Sequence, residues 1–299
     1  MFGPGWTWNR KDENTMKDVV RNRVIDFIKA GYSVIIDNTN LSRGVREMWK
    51  QLAFSLGADY EEHEMSTDLQ ECIYRDSKRE GKARVGRAVI ERMALFYGFI
   101  DWSQYDGEFV IVDLDGTVAN CQHRLGFLEP KIAHKLDCTA GCKCGHLDDG
   151  LGHPKGCAQR HMDEYKFCPR CYAKAKKDWQ AFHADENIAK DEPYPAIVRL
   201  VKEYFLVGYH VLYVTGRGTE SGIATEDWLN KHELLDGEWM QHLFMRPAGD
   251  HRPDTEIKRE ILDLLPKDRI AYVLEDRDRV VEMYRAEGLT VLQPKKGDY

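Results

Sequence analysis

The 299-residue chain has no apolar run near the roughly 18–20 residues that a membrane-spanning helix needs, and the reading is a protein without a membrane partner. Its first residues, MFGPGWTWNRKDEN, place no apolar stretch behind a basic one, so no secretory signal is expected and the cytoplasm is the expected address. Positive charge is not in excess: 43 Lys and Arg against 50 Asp and Glu give a formal net charge of -7, so any basic surface for a polyanion must be local. No internal repeat and no low-complexity tract interrupts the sequence. A Gly-x-x-x-x-Gly-Lys-Ser/Thr loop, whose backbone amides would cradle nucleotide phosphates, is also missing; Gly3-Pro4-Gly5 is followed by no lysine at that distance. Apolar material is plentiful. Hydrophobic residues make up 42% and charged residues 31%, which excludes global disorder and supplies core for about two domains.

The apolar pattern predicts helices alternating with strands. Val19, Val20, Val24, Phe27 and Ile28 recur at helical spacing, predicting a helix over 14–30, and the short apolar run at 33–37 predicts a buried parallel strand. A helix over 43–56, a strand over 60–63 and helices over 68–78 and 85–97 follow. Residues 1–104 therefore read as one α/β unit, and DWSQYDGE at 101–108 as its joint to the next. The second unit, 105–299, opens on the strand FVIVD. It continues with strands near 211–215, 242–245, 270–274 and 290–292 between helices near 195–206, 226–231, 254–265 and 279–286. This alternation predicts a doubly wound parallel sheet that binds ligands at the carboxyl ends of its strands. Residues 129–177, rich in Gly, Cys, His and Lys, break the rhythm and read as an insertion.

Chemistry concentrates at predicted strand ends. Asp113-Leu-Asp115-Gly116-Thr117 ends one strand, and alternation predicts both carboxylates on one side, where a divalent cation would relieve their repulsion. Glu275-Asp276 ends a second strand; Thr215, Gly216 and Arg217 end a third, offering a hydroxyl, a close backbone approach and a cation. Asp254 and Lys258 lie one turn apart at a helix start. Singly, each is bland: an Asp-Gly-Thr is usually a turn and a lone lysine a solvated helix residue. Together, in order, they suit phosphoryl transfer to a carboxylate.

The set resembles the haloacid dehalogenase-like phosphatases over 108–299, the insertion excepted. That resemblance implies Asp113 as nucleophile and Asp115 as acid and base. It also implies Thr215 and Lys258 on the phosphoryl oxygens, and Mg2+ held by Asp113, the Asp115 backbone and Asp276, with Glu275 beside it where the family usually shows Asp or Gly. Further residues resemble the phage-type polynucleotide kinase/3′-phosphatases: Arg124, eleven residues past Asp113, Thr-Gly-Arg217, the Asp254/Lys258 pair and the closing EDRDRVVEMYRAEG. Arg124, Gly216, Arg217 and Asp254 are then expected at the substrate. The first unit resembles that family's kinase domain: Asp37 and Asn38 match its acidic strand end, with the acid displaced by one residue, and Arg75 and Arg79 match its lid. The fold class this implies is α/β in two domains, a partial P-loop-kinase-like unit and a haloacid dehalogenase-like phosphatase with an inserted cap. Without the phosphate-binding loop the chain is not expected to transfer phosphate from ATP, and either truncation or degeneration of the kinase half accounts for the gap; truncation is the favoured expectation.

Six of the eight cysteines, Cys138, Cys142, Cys144, Cys157, Cys168 and Cys171, fall within the insertion. In a reducing compartment Cys168-Pro-Arg-Cys171 and its neighbours favour one structural Zn2+, or two, with His146, His153 and His161 as alternates. Residues 131–177 carry a formal +5 while the rest of the chain carries -12, so the insertion suits a basic cap for a nucleic-acid strand. The expected function is a Mg2+-dependent 3′-phosphatase on RNA or DNA ends in nucleic-acid repair. A ligase partner and a homo-oligomer are left open. The alternatives are a phosphatase of small phosphate esters and a catalytically dead, zinc-stabilised nucleic-acid adaptor.

Overall fold

The computed structural model describes residues 10–128, 178–235 and 241–297. The chain divides into two compact units, Met1–Ser66 and Thr67–Tyr299. In the first, α1 (Arg10–Lys29) and α2 (Arg43–Ser55) form where helical spacing predicts them. The strands expected at 33–37 and 60–63 do not form. Among the described residues of this unit no strand offers a ladder, and irregular backbone must find other partners. One such partner is Arg46, whose Nη1 donates to the carbonyls of Asn40 (3.0 Å) and Leu41 (2.7 Å).

The second unit runs α3 (Leu69–Ser77), α4 (Arg87–Phe96), β1 (Phe109–Val112), β2 (Ala119–Asn120), α5 (Trp179–Phe182), α6 (Asp185–Ile188), β3 (Glu192–Pro193) and α7 (Pro195–Val207). It continues with β4 (His210–Gly218), α8 (Gly222–Lys231), β5 (Gln241–Arg246), α9 (Asp254–Leu262), β6 (Ile270–Leu274), α10 (Asp278–Ala286) and β7 (Val291–Leu292). Five strands make a sheet in the order β5-β4-β1-β6-β7, and every pairing in it is parallel. The central strand explains its own burial: Phe109 and Ile111 join one core with Ile257, Ile261 and Tyr284, while Val110 and Val112 join the other with Val201, Trp228 and Leu229. A strand covered on both faces reads as a continuous apolar run, which is how FVIV was legible.

The sheet's compact unit starts at Thr67, ahead of the joint expected at 101–108. The physical reason is Glu91 of α4, fully buried against the edge strand β5. Its Oε2 accepts from the Leu243 amide (2.6 Å), its Oε1 from Arg87 Nε (3.0 Å) and His242 Nδ1 (3.0 Å). Its side chain thus satisfies an edge amide that would otherwise be open to pairing. Burial alone would raise the Glu91 carboxyl, but Arg87 and His242 hold it below its ordinary range.

Candidate active site

Strand β1 stops one residue before Asp113, whose amide still donates to Leu274 O of β6 (2.9 Å). The chain then folds tightly: the Ala119 amide donates to Leu114 O (2.8 Å) and the Gly116 amide to Ala119 O (2.9 Å). Gly116 takes φ +89°, a left-handed conformation that a side chain would strain. The loop leaves Asp113 and Asp115 at the carboxyl ends of the strands, 5% and 8% exposed.

Asp113 meets an acidic pair and a lysine there. Lys258 Nζ of α9 lies 2.5 Å from Asp113 Oδ1 and 2.6 Å from Glu275 Oε2, with all three side chains buried. One oxygen each from Asp113, Glu275 and Asp276 fall within 4.8 Å of one another. Three carboxylates and one ammonium leave two formal negative charges with little water around them, and proton affinities respond. Burial, reinforced by the Asp113 charge, pushes Glu275 up to about 8 and Asp276 up to about 7. Burial also raises Asp113, against the pull of Lys258. For Lys258 burial works the other way, yet Asp113 and Glu275 outweigh it and hold the ammonium charged. Asp276 Oδ2 is buried without a hydrogen-bond partner among the described residues. Carboxylate oxygens converging on unneutralised charge, one of them unpartnered, fit a hard divalent cation.

Asp115 has a different environment. Its Oδ1 accepts from Arg124 Nη2 (2.7 Å) and from Arg217 Nε (3.0 Å) and Nη2 (2.5 Å). Both guanidinium groups are fully buried, and both also donate to Asp191: Arg124 Nε to Oδ1 (2.8 Å) and Arg217 Nη2 to Oδ2 (2.9 Å). Burial raises the Asp115 carboxyl, but Arg217 and Arg124 outweigh it and hold it far below the usual carboxylate range. Arg124 and Arg217, expected at the substrate phosphate, are both engaged with the carboxylates of Asp115 and Asp191. Asp254 is likewise engaged, by Arg277 Nη1 and by Arg279 Nε (3.0 Å). Thr215 is buried, its Oγ1 accepting from the Arg217 amide (3.3 Å). The Gly216 carbonyl accepts from Arg246 Nε (2.9 Å). A Cβ at Gly216 would lie 3.7 Å from Asp254 Cβ and 3.9 Å from Arg246 Nη2, ordinary contact distances.

The remaining predicted residues lie elsewhere. Asp37 and Asn38 are exposed in irregular chain of the first unit. Arg75 and Arg79 belong to the second, paired with Glu71 (2.6 Å) and Asp76 (3.5 Å). Cys138, Cys142, Cys144, Cys157, Cys168 and Cys171 lie outside the described residues.

Sequence reasoning missed Asp191. It reaches Asp115 because β3, which follows it, pairs antiparallel with β2, Ala119 opposite Pro193 and Asn120 opposite Glu192. Two-residue strands leave no periodic signal, and the only local hint was an acidic residue just before Glu-Pro-Tyr-Pro. The motif residue Thr117 was named without a role; its Oγ1 donates to Asp276 Oδ1 (3.4 Å).

Residues 173–299 match the family model of the polynucleotide kinase phosphatase domain, and residues 5–99 match that of an AAA domain. Asp113 and Asp115 precede the first match, so the fold, not the match, joins them to Lys258 and Asp276. A protein of Autographa californica nuclear polyhedrosis virus named as a bifunctional polynucleotide kinase/RNA ligase is 22% identical over 293 residues, covering 93% of this chain. The chain spans 34% of that relative's length. Among solved structures, a chain of the Pnkp1/Rnl/Hen1 RNA repair complex is similar at TM-score 0.40 and 19% identity, covering 98% of this chain and 83% of that one. A haloacid dehalogenase-like hydrolase from Streptococcus pneumoniae is similar at TM-score 0.38 and 14% identity, covering 62% and 84%.

Proposed function

We propose, from the match of residues 173–299 to the family model of the polynucleotide kinase phosphatase domain, that this protein removes the phosphate from 3′-phosphorylated RNA or DNA ends. Asp113 attacks phosphorus as the bond to the nucleoside 3′-oxygen breaks, and Asp115 delivers a proton to that oxygen. Asp115 then takes a proton from water as the water attacks the aspartyl-phosphate, restoring Asp113 and releasing inorganic phosphate. The two arginines on Asp115 hold it as the carboxylate that the second half-reaction requires. For the first half-reaction Asp115 must first take up a proton, from solvent or from a phosphate monoanion, and the arriving phosphate raises its proton affinity by like-charge repulsion. Lys258 fixes Asp113 Oδ1 and sets a positive charge where phosphoryl oxygens collect, with the Thr215 hydroxyl at the neighbouring strand end. Asp113, Asp276 and the Asp115 backbone carbonyl would hold Mg2+, Glu275 alongside; when bound, the ion neutralises the acidic cluster and draws charge from the phosphate.

The observation that carries the reading is a buried carboxylate at a central strand end, bridged by one lysine to a second acidic strand end. The ligase named in the viral relative supports a role in end repair alongside a ligase. The six insertion cysteines support a structural Zn2+ in a reducing, cytoplasmic setting. The test is turnover of a 3′-phosphorylated oligonucleotide against a small phosphate ester, for wild type and Asp113→Asn. Preference for the oligonucleotide, with loss of at least about a thousandfold in the variant, is expected. Preference for the small ester, or an active Asp113→Asn protein, overturns it.

A further inference from the structure

Asp276 is held by a second element that the proposed mechanism does not use. The segment 293–297 crosses directly over it. The Gly297 amide donates to Asp276 O (2.7 Å) and Gln293 Nε2 donates to the same carbonyl (2.8 Å). Gln293 Nε2 also donates to Asp278 Oδ1 (2.8 Å), the Asp278 amide donates to Gly297 O (3.4 Å), and Lys296 Nζ lies 3.1 Å from Asp278 Oδ2. The segment's other anchor is Lys295, whose Nζ donates to Tyr194 Oη (2.5 Å) and sits 4.8 Å from that ring's centre.

The closeness of this crossing is what matters. A Cβ on Gly297 would stand 2.0 Å from Asp276 Oδ2 and 2.7 Å from its Cγ, far inside van der Waals contact. Gly297 is not among the positive-φ residues, so backbone conformation does not demand a glycine there. The demand is space, and the space adjoins the one buried carboxylate oxygen of the acidic cluster left without a hydrogen-bond partner among the described residues.

We propose that 293–297 is a strap over the cation site and that Gly297 is a positioning residue, its missing side chain leaving Asp276 Oδ2 free to take a divalent cation. The strap fixes the Asp276 main chain through two hydrogen bonds while donating none to its Oδ2. A methyl group at 297 forces the carboxylate to turn, so the cation loses a ligand while Asp113, Lys258 and Glu275 stay in place. This rests on the cation site proposed above.

The test is Mn2+ binding to the full chain, read by electron paramagnetic resonance without substrate, alongside the melting temperature in EDTA. Gly297→Ala is expected to weaken Mn2+ binding at least tenfold and to raise the Mg2+ concentration for half-maximal turnover in step, with the EDTA melting temperature little changed. Gln293→Ala removes hydrogen bonds without adding bulk, and a loss of only two- to threefold is expected. A Gly297→Ala protein that binds Mn2+ as wild type does, or whose weaker binding merely follows a fall in EDTA melting temperature, overturns the inference. A wild-type protein that binds no Mn2+ overturns instead the cation site on which it rests.

Discussion

Removing the cation should expose a contribution to stability that falls as pH rises, opposite to the acid lability usual for buried ion pairs. In the cation-free fold Glu275 is pushed up to about 8 from 4.5 and Asp276 up to about 7 from 3.8. Between the unfolded and folded values the native state keeps a proton that the unfolded state has released. Stability then falls with pH by about 1.4 kcal/mol per unit for each such proton. Glu275 and Asp276 respond to the same Asp113 and Lys258, so we count one proton between them, a loss of about 3 kcal/mol from about pH 5 to pH 7. For a unit of this size that is roughly 6–12 °C in melting temperature. Asp115 and Asp254, both lowered, are ionised in folded and unfolded states across this window and add no slope. Asp191, Glu226 and Asp185, raised by burial, add a background of the same sign, while His183, His210 and His232, lowered by burial, add one of the opposite sign, so the comparison with and without cation isolates the acidic cluster. The assay is therefore a pair of thermal melts across pH, one in EDTA and one in excess Mg2+. Relative to the Mg2+ curve, the EDTA curve should drop as pH rises, the gap widening toward neutral pH. Parallel curves would refute the charge argument, as would a gap that narrows toward neutral pH.

Two further outcomes follow from the same geometry. Asp191→Ala leaves two buried guanidinium groups sharing the single Asp115 carboxylate; breaking a buried ion cluster in this way should cost about 3–5 kcal/mol, measured by urea denaturation, and lower turnover with it. A loss under about 1 kcal/mol would show that Asp191 does not anchor the arginines. Elemental analysis of purified protein should find near-stoichiometric zinc, lost when Cys168 and Cys171 are both changed to Ser; zinc-free protein would remove the case for a metal-built insertion.

What the sequence by itself determined is local. FVIV, VLYVT and AYVL declared themselves as buried parallel strands because a strand covered on both faces must be continuously apolar, and the polar residues stranded at their ends then stood out. Asp113, Thr215, Glu275 and Asp276 were legible on that ground, and Lys258 by its spacing from Asp254 at a helix start. The run at 33–37 carries the same signature but forms no strand, since an apolar run becomes one only where a neighbour supplies a ladder.

Only the tertiary structure decided how charge is shared among those residues. Arg124 and Arg217 have the composition of phosphate ligands, yet a two-residue pairing, β2 with β3, carries Asp191 between them and turns both onto Asp115. Glu91, an ordinary helix residue by its spacing, became the buried acceptor for an edge-strand amide and drew residues from 67 onward into the sheet's unit. Gly297 was one glycine among 24 until folding set it against Asp276. Periodicity encodes which face of an element is covered; it does not encode which distant carboxylate, amide or backbone will arrive there, because that contact exists only once the layers are packed.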